Sequence, residues 1–145
     1  MVKKSARMQV LVNLAQREED KVSELVASER QKVDLDKRKL QDLMSYAEQY
    51  DQERNLLGMS SHLAINYQHF VDRLQQAIRQ QEGQVARSEQ QYNMAMRRWQ
   101  AARAKTKGMD WLKDKSVIEE DRLEAKLEQV QNDEFAARKF FDNSR

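Results

Sequence analysis

The sequence predicts an all-α protein: a single long antiparallel two-helix coiled coil, or helical hairpin, whose second helix is the longer one. The chain has no proline in 145 residues and only three glycines. Proline inside a helix costs roughly 3 kcal/mol, so a chain without it can be helical almost from end to end. With 34% charged and 39% hydrophobic residues, the chain is too polar for a thick core and suits helices that bury one narrow stripe each.

The first helix is predicted over residues of about 5–57, within a single domain that spans 1–145. Its apolar spacing resembles an 11-residue repeat from Leu11 to Val33 and becomes heptad-like afterwards, with Asp36 and Arg54 in the apolar stripe. The apolar series is Leu11, Leu14, Val22, Leu25, Val33, Leu40, Leu43, Ala47, Tyr50 and Leu57.

A turn is predicted at about 58–61, because helix stop and start signals coincide there. Gly58 suits the left-handed position that follows a helix end, and Ser60 or Ser61 suits the N-cap of the next helix. Such a short connection makes the two helices antiparallel neighbours.

The second helix is predicted over about 62–140 and has the more regular pattern. Its stripe positions follow one another at alternating steps of four and three, as in a coiled coil, and the phase passes through Gly83 unbroken. These positions are Tyr67, Val71, Leu74, Ile78, Gln81, Val85, Ser88, Tyr92, Ala95, Trp99, Ala102, Thr106 and Met109.

The second helix should extend beyond the first. Helix rise and the short turn place residue i near residue ~120 − i, so the first helix should stop covering the second near Lys115. Further on, an apolar stripe continues through Leu123, Leu127, Val130 and Ala137. A stripe without an internal partner implies either an external partner or a frayed helix end.

More apolar residues lie near the turn than one coiled-coil stripe needs. The line Phe70–Leu74–Ala77 is offset from the main stripe of the second helix, and Leu43, Tyr46 and Tyr50 form a similar line on the first. Antiparallel pairing sets the two lines side by side. Exposed apolar patches with aromatic residues are typical of protein–protein sites, although these residues could also thicken the core or seal a dimer.

The sequence predicts no enzyme, no catalytic residue, no metal and no cofactor. It has no cysteine and no Gly-rich phosphate loop, and its two histidines, His62 and His69, are about 10 Å apart along a helix, too far to share a metal. The basic stretch Arg97–Lys107 lacks a one-sign face, which argues against nucleic acid as a partner. No apolar run reaches the roughly 18–20 residues of a membrane span, so we expect a cytoplasmic protein without direct membrane insertion.

Two stretches beside the turn resemble the flagellar export protein FliJ family. They are Leu40-x-x-Leu43-x-x-Tyr46-x-x-x-Tyr50 and Asn66-Tyr67-Gln68-His69-Phe70-Val71-x-x-Leu74-x-x-Ala77-Ile78. Trp99 and the C-terminal Asp133-Glu134-Phe135-Ala136-x-Arg138 are similar to that family as well. The stretch Asn-Tyr-Gln-x-Phe is the most specific part.

This resemblance implies a component of the flagellar type III export apparatus, shaped like the stalk subunit of rotary ATPases and peripherally associated with the inner-membrane machinery. The implied partners are the hexameric export ATPase, the cytoplasmic domain of the export gate protein FlhA, and export chaperones. The implied gate-binding residues are Leu43, Tyr46, Tyr50, Phe70, Leu74 and Ala77. The implied ATPase contact lies at the helix termini, at Leu11, Leu14, Leu123, Leu127, Val130 and Phe135.

Two rim positions depart from a known family member: Lys39 replaces a glutamine and Gln81 replaces a histidine, which concerns partner specificity. Two other functions stay open on the sequence. One is the stalk of a virulence-type secretion system, against which the Asn-Tyr-Gln-x-Phe stretch argues. The other is a self-assembling structural coiled coil.

Overall fold

A computed structural model of the chain describes residues 3–56 and 61–144, with side chains for 3–54 and 63–144. Helix α1 is Lys4–Leu56 and helix α2 is Ser61–Asn143, and the described residues contain no strand. The two helices pack against each other, which confirms the all-α hairpin with a longer second helix. The predicted turn residues Gly58 and Ser60 lie outside the described part of the chain.

The chain divides into two compact units, each of which contains a section of both helices. The first, here called the aromatic unit, is Lys21–Gln100. The second, here called the terminal unit, comprises the residues up to Asp20 together with those from Ala101 onward.

In the aromatic unit, side chains that are buried or half-buried recur along both helices at alternating steps of three and four residues. These positions form the seam of a coiled coil. The seam of α2 follows the predicted positions from Tyr67 to Trp99 without exception. The facing positions of α1 are Val22, Val26, Glu29, Val33, Asp36, Leu40, Leu43, Ala47 and Tyr50.

In the terminal unit, the same spacing continues on both helices. Its α1 seam is Ser5, Met8, Val12, Ala15 and Glu19, and its α2 seam is Ala102, Thr106, Met109, Lys113, Ser116 and Glu120. Every described residue from Asp121 to Ser144 is exposed. The paired section of α2 therefore ends at Glu120, a few residues beyond the predicted Lys115.

The predicted 11-residue repeat at the start of α1 is wrong. Leu11 and Leu14 are exposed, and Leu25 is half-buried beside the seam instead of within it. A strict heptad on α2 keeps its stripe facing α1 only when α1 follows a heptad as well, because an 11-residue repeat drifts in the opposite sense. The heptad of α1 accepts Glu19 and Glu29 as seam residues to preserve that phase.

Candidate partner-binding surface

The aromatic patch, defined as Leu43, Tyr46, Tyr50, Phe70, Leu74 and Ala77, lies in the aromatic unit. Its α1 members are three and four residues apart, as are its α2 members, so each set occupies one side of its helix. The structure brings the two sets together through ring contacts. Tyr50 of the α1 line and Phe70 of the α2 line lie 4.4 Å apart between ring centroids.

Tyr50 is the centre of a four-ring cluster. It tilts against Phe70 and stacks on Tyr67 at 4.8 Å between centroids and 15° between ring planes. Tyr46 contacts both Tyr50 and Phe70 at 6.1 Å, meeting Phe70 edge to face. Offset and edge-to-face contacts are the favourable geometries of aromatic pairs. The cluster therefore presents a preformed surface in which the rings hold one another in place.

Exposure differs sharply among the six residues of the aromatic patch. Tyr46 is 49% exposed, whereas Leu74 is 8% exposed and belongs to the seam of α2. Leu43, Tyr50, Phe70 and Ala77 are half-buried. Tyr46 is therefore the most accessible ring of the patch, whereas Leu74 is buried in the seam.

Sequence reasoning placed Tyr67 in the seam but missed its role beneath the aromatic patch. The Tyr67 hydroxyl donates a hydrogen bond to the Tyr50 backbone carbonyl at 3.0 Å, and Asp51 Oδ1 lies 3.5 Å from the same hydroxyl as an alternative acceptor. The Arg54 guanidinium lies over the Tyr67 ring, 4.9 Å from its centroid. Burial, followed by the charge of Asp51, raises the pKa of Tyr67.

A shallow groove of about 580 Å³ includes two patch residues, Leu43 and Tyr46. Its other lining residues are Lys39, Asp42 and Gln81. Gln81 is not a free rim residue, because its Nε2 donates to the Asp36 backbone carbonyl at 2.9 Å. Of the two positions that depart from the family member, Lys39 is the exposed one and Gln81 is half-buried.

Further exposed apolar residues of the aromatic unit could not be singled out from the sequence. Met44, Leu63 and Ile65 are exposed close in sequence to the patch, and Leu35 and Met94 are exposed elsewhere in the unit. None of the five follows a second regular stripe, so no periodic signal marks them.

The second predicted surface lies wholly in the terminal unit. All six residues, Leu11, Leu14, Leu123, Leu127, Val130 and Phe135, are exposed. They form two separate sets: Leu11 and Leu14 lie on the paired section of α1, and the other four lie on α2 beyond Glu120.

The first turn of α1 is fastened to α2 at the border between these two sets. The Glu120 carboxylate accepts hydrogen bonds from the Ser5 backbone N–H at 3.0 Å and from Ser5 Oγ at 2.7 Å, and Lys3 pairs with Glu124 at 3.1 Å. The bonds from the Ser5 side chain and backbone lower the pKa of Glu120. A carboxylate at a helix N-terminus satisfies an otherwise unpaired N–H group and complements the helix dipole.

Within the described residues, neither helix has a stretch long and apolar enough to cross a membrane. In the same part of the chain, no group of three or more histidine and acidic side chains is placed to hold a metal ion.

The family model of the flagellar FliJ protein matches residues 3–145. The chain belongs to the FliJ family. It is 27% identical over 134 residues to the flagellar FliJ protein of Salmonella typhi, covering 90% of this chain and 91% of that protein. It is also 27% identical over 131 residues to the flagellar FliJ protein of Escherichia coli K12, covering 88% and 89%.

Proposed function

We propose that this FliJ-family protein is a non-enzymatic component of the flagellar type III export apparatus. In this role it couples the hexameric export ATPase to the export gate and escorts export chaperones. It acts in the cytoplasm, peripherally associated with the export machinery of the inner membrane. The observation that carries the proposal is the aromatic patch, in which rings from both helices form one preformed surface and Tyr46 is 49% exposed.

The aromatic patch is the proposed contact for the cytoplasmic domain of FlhA. Aromatic anchors supply a large contact area with few rotatable bonds, and they are enriched where binding energy concentrates. Tyr46 is the leading anchor because half of its surface is exposed and because Tyr50 and Phe70 fix its ring. Lys39 and Asp42 both line the adjoining groove, so the groove offers a partner one charge of each sign beside the apolar patch.

The exposed apolar residues of the terminal unit are the proposed contact for the ATPase. Leu123, Leu127, Val130 and Phe135 supply apolar side chains on a bare section of α2, and Leu11 and Leu14 supply a smaller set on α1. Burial of such side chains contributes about 25 cal/mol per Å² of apolar surface removed from water.

The test is a pull-down with the cytoplasmic domain of FlhA, comparing the wild type with a Tyr46→Ala, Phe70→Ala double variant. Tyr50 keeps its stack on Tyr67 in this variant, so we expect lost binding with helicity retained by circular dichroism. The matched control is Leu35→Ala with Met94→Ala, which removes two exposed apolar side chains of the same unit outside the patch.

Unchanged binding by the patch variant, or equal loss in the control, would remove the assignment of the aromatic patch. Light scattering distinguishes the competing function, a self-assembling structural coiled coil. A concentration-independent dimer that the Tyr46→Ala, Phe70→Ala variant converts to monomer would support self-assembly through the patch instead.

A further inference from the structure

The seam of α2 continues past the end of its partner helix in the same phase. After Glu120 the steps of three and four lead to Leu123, Leu127, Val130, Glu134, Ala137 and Phe141, here called the free seam. The residues of this set are exposed, and five of the six are apolar. The free seam is therefore a direct extension of the interface that α2 makes with α1 in the terminal unit.

Because the heptad phase is continuous, the free seam is suited to one kind of partner. A heptad stripe is complementary to another α-helix with the same repeat, whose side chains fill the spaces between its own. The first turn of α1 reaches only the near edge of the free seam, where Ser5 binds Glu120 and Lys3 pairs with Glu124. The stripe from Leu123 to Phe141 spans 19 residues. A partner helix that covers it must have about the same length, because both helices rise 1.5 Å per residue.

The charges along the free seam indicate which helix can serve as this partner. Residues 121–134 carry five acidic and two basic side chains, a net charge of −3, whereas residues 135–145 carry three basic and one acidic, a net charge of +2. A second copy laid antiparallel sets each acidic half against a basic half. Parallel pairing would instead set like against like.

We propose that the free seam binds the free seam of a second copy of this chain as a short antiparallel coiled coil. The alignment that engages all six positions pairs residues whose numbers add up to 264. It layers Leu123 on Phe141, Leu127 on Ala137 and Val130 on Glu134 of the second copy. It also sets Glu124 beside Arg138 of the second copy, an opposite-charge pair at the seam edge.

The association is weak and reversible. Two segments of this length bury on the order of 1,000 Å² in total, below the size of stable interfaces, and Glu134 occupies one layer in each copy. The inference does not depend on the proposed function, but the two meet at Leu123, Leu127 and Val130. Self-association and ATPase binding would therefore compete for these side chains.

The first test measures molar mass by light scattering or sedimentation up to about 1 mM protein, a range that populates even weak complexes. We expect the mass to rise from 17.2 kDa towards twice that value as concentration increases. Leu127→Asp should keep the chain monomeric. Ala125→Asp, which adds the same charge about 200° around the helix, should dimerise like the wild type. Monomer throughout the range, or equal loss in both variants, would overturn the proposal.

The second test fixes the orientation and exploits the absence of cysteine from the chain. A mixture of the Leu127→Cys and Ala137→Cys variants should form a mixed disulfide, because the two positions share a layer. Each variant alone should crosslink poorly, since its thiols lie ten residues apart, about 15 Å along the helix axis. Efficient crosslinking of Leu127→Cys alone would show parallel pairing and refute the alignment. The FlhA pull-down is unaffected by either result, so failure of this inference is separable from failure of the proposed function.

Discussion

Leu74 and Tyr46 belong to the same proposed binding patch, yet their replacement by alanine should act in different ways. Leu74 is 8% exposed and lies in the seam, whereas Tyr46 is 49% exposed. Leu74→Ala should therefore weaken partner binding by loosening the hairpin beneath the patch. Tyr46→Ala should weaken it by removing contact surface from a patch that stays folded.

The expected costs follow from burial. Truncation of a buried leucine costs 2–5 kcal/mol, and two helices can close partly around the gap, so we expect about 2 kcal/mol for Leu74→Ala. Tyr46→Ala removes a tilted ring contact with Tyr50 and an edge-to-face contact with Phe70, both at 6.1 Å between centroids, from a side chain that is already 49% exposed. We expect about 1 kcal/mol or less for Tyr46→Ala.

Hydrogen exchange resolved to short peptides is the assay, because a long hairpin opens locally before it unfolds globally. For Leu74→Ala we expect amide exchange across 40–50 and 67–78 to accelerate roughly 30-fold, against about 5-fold or less for Tyr46→Ala. A larger acceleration in Tyr46→Ala than in Leu74→Ala would refute the reasoning. So would a Leu74→Ala protein that exchanges like the wild type but has lost its partner.

Three more predictions concern stability. Gly83→Ala and Gly108→Ala should each stabilise the chain by about 1 kcal/mol, measured by thermal denaturation, because both glycines are helical. An added Cβ would meet only the Arg87 side chain at 3.6 Å at position 83, and nothing within 4 Å at position 108. Because the pKa of Tyr67 is raised by folding, stability should fall as pH rises above about 10, and Tyr67→Phe should flatten that fall. Because folding lowers the pKa of Glu120, the contribution of this carboxylate to folding stability is present above about pH 4.5 and is lost at lower pH. Glu120→Gln should therefore reduce the acid dependence of stability and speed amide exchange in the first turns of α1 at neutral pH.

The architecture and the seam of α2 were predictable because one strong signal governs them. The absence of proline permits two very long helices, and the steps from Tyr67 to Met109 never break phase. All thirteen of the predicted positions on α2 are buried or half-buried. The aromatic lines beside the turn were predictable for the same reason, since antiparallel pairing from a short connection leaves little freedom in which rings meet.

The start of α1 was mispredicted because the most hydrophobic residues there are not the most buried ones. Leu11 and Leu14 are strongly apolar but exposed, while Glu19 occupies the seam. A pattern search follows the leucines, whereas the packed helix follows the heptad that α2 imposes. The binding of Ser5 by Glu120 was likewise invisible, because it joins residues 115 apart in sequence.

The seam is too narrow and too polar to fix the alignment of the helices by packing alone. Ser88, Thr106 and Ser116 are buried, yet their hydroxyls donate hydrogen bonds to backbone carbonyls of their own helix. These bonds therefore do not depend on which residues of α1 lie opposite. A seam of this kind has near-equivalent alignments one heptad apart. The alignment must therefore be set by bonds that only one pairing can make.

Each unit contains such bonds. In the aromatic unit, Tyr67 donates to the Tyr50 carbonyl and Gln81 donates to the Asp36 carbonyl. In the terminal unit, Glu120 accepts both donors of Ser5. A shift of one heptad would break these bonds and move Tyr50 away from Phe70, dissolving the ring cluster. The polar cross-helix bonds thus determine which aromatic rings meet, and the proposed binding surface depends on them as much as on the rings themselves.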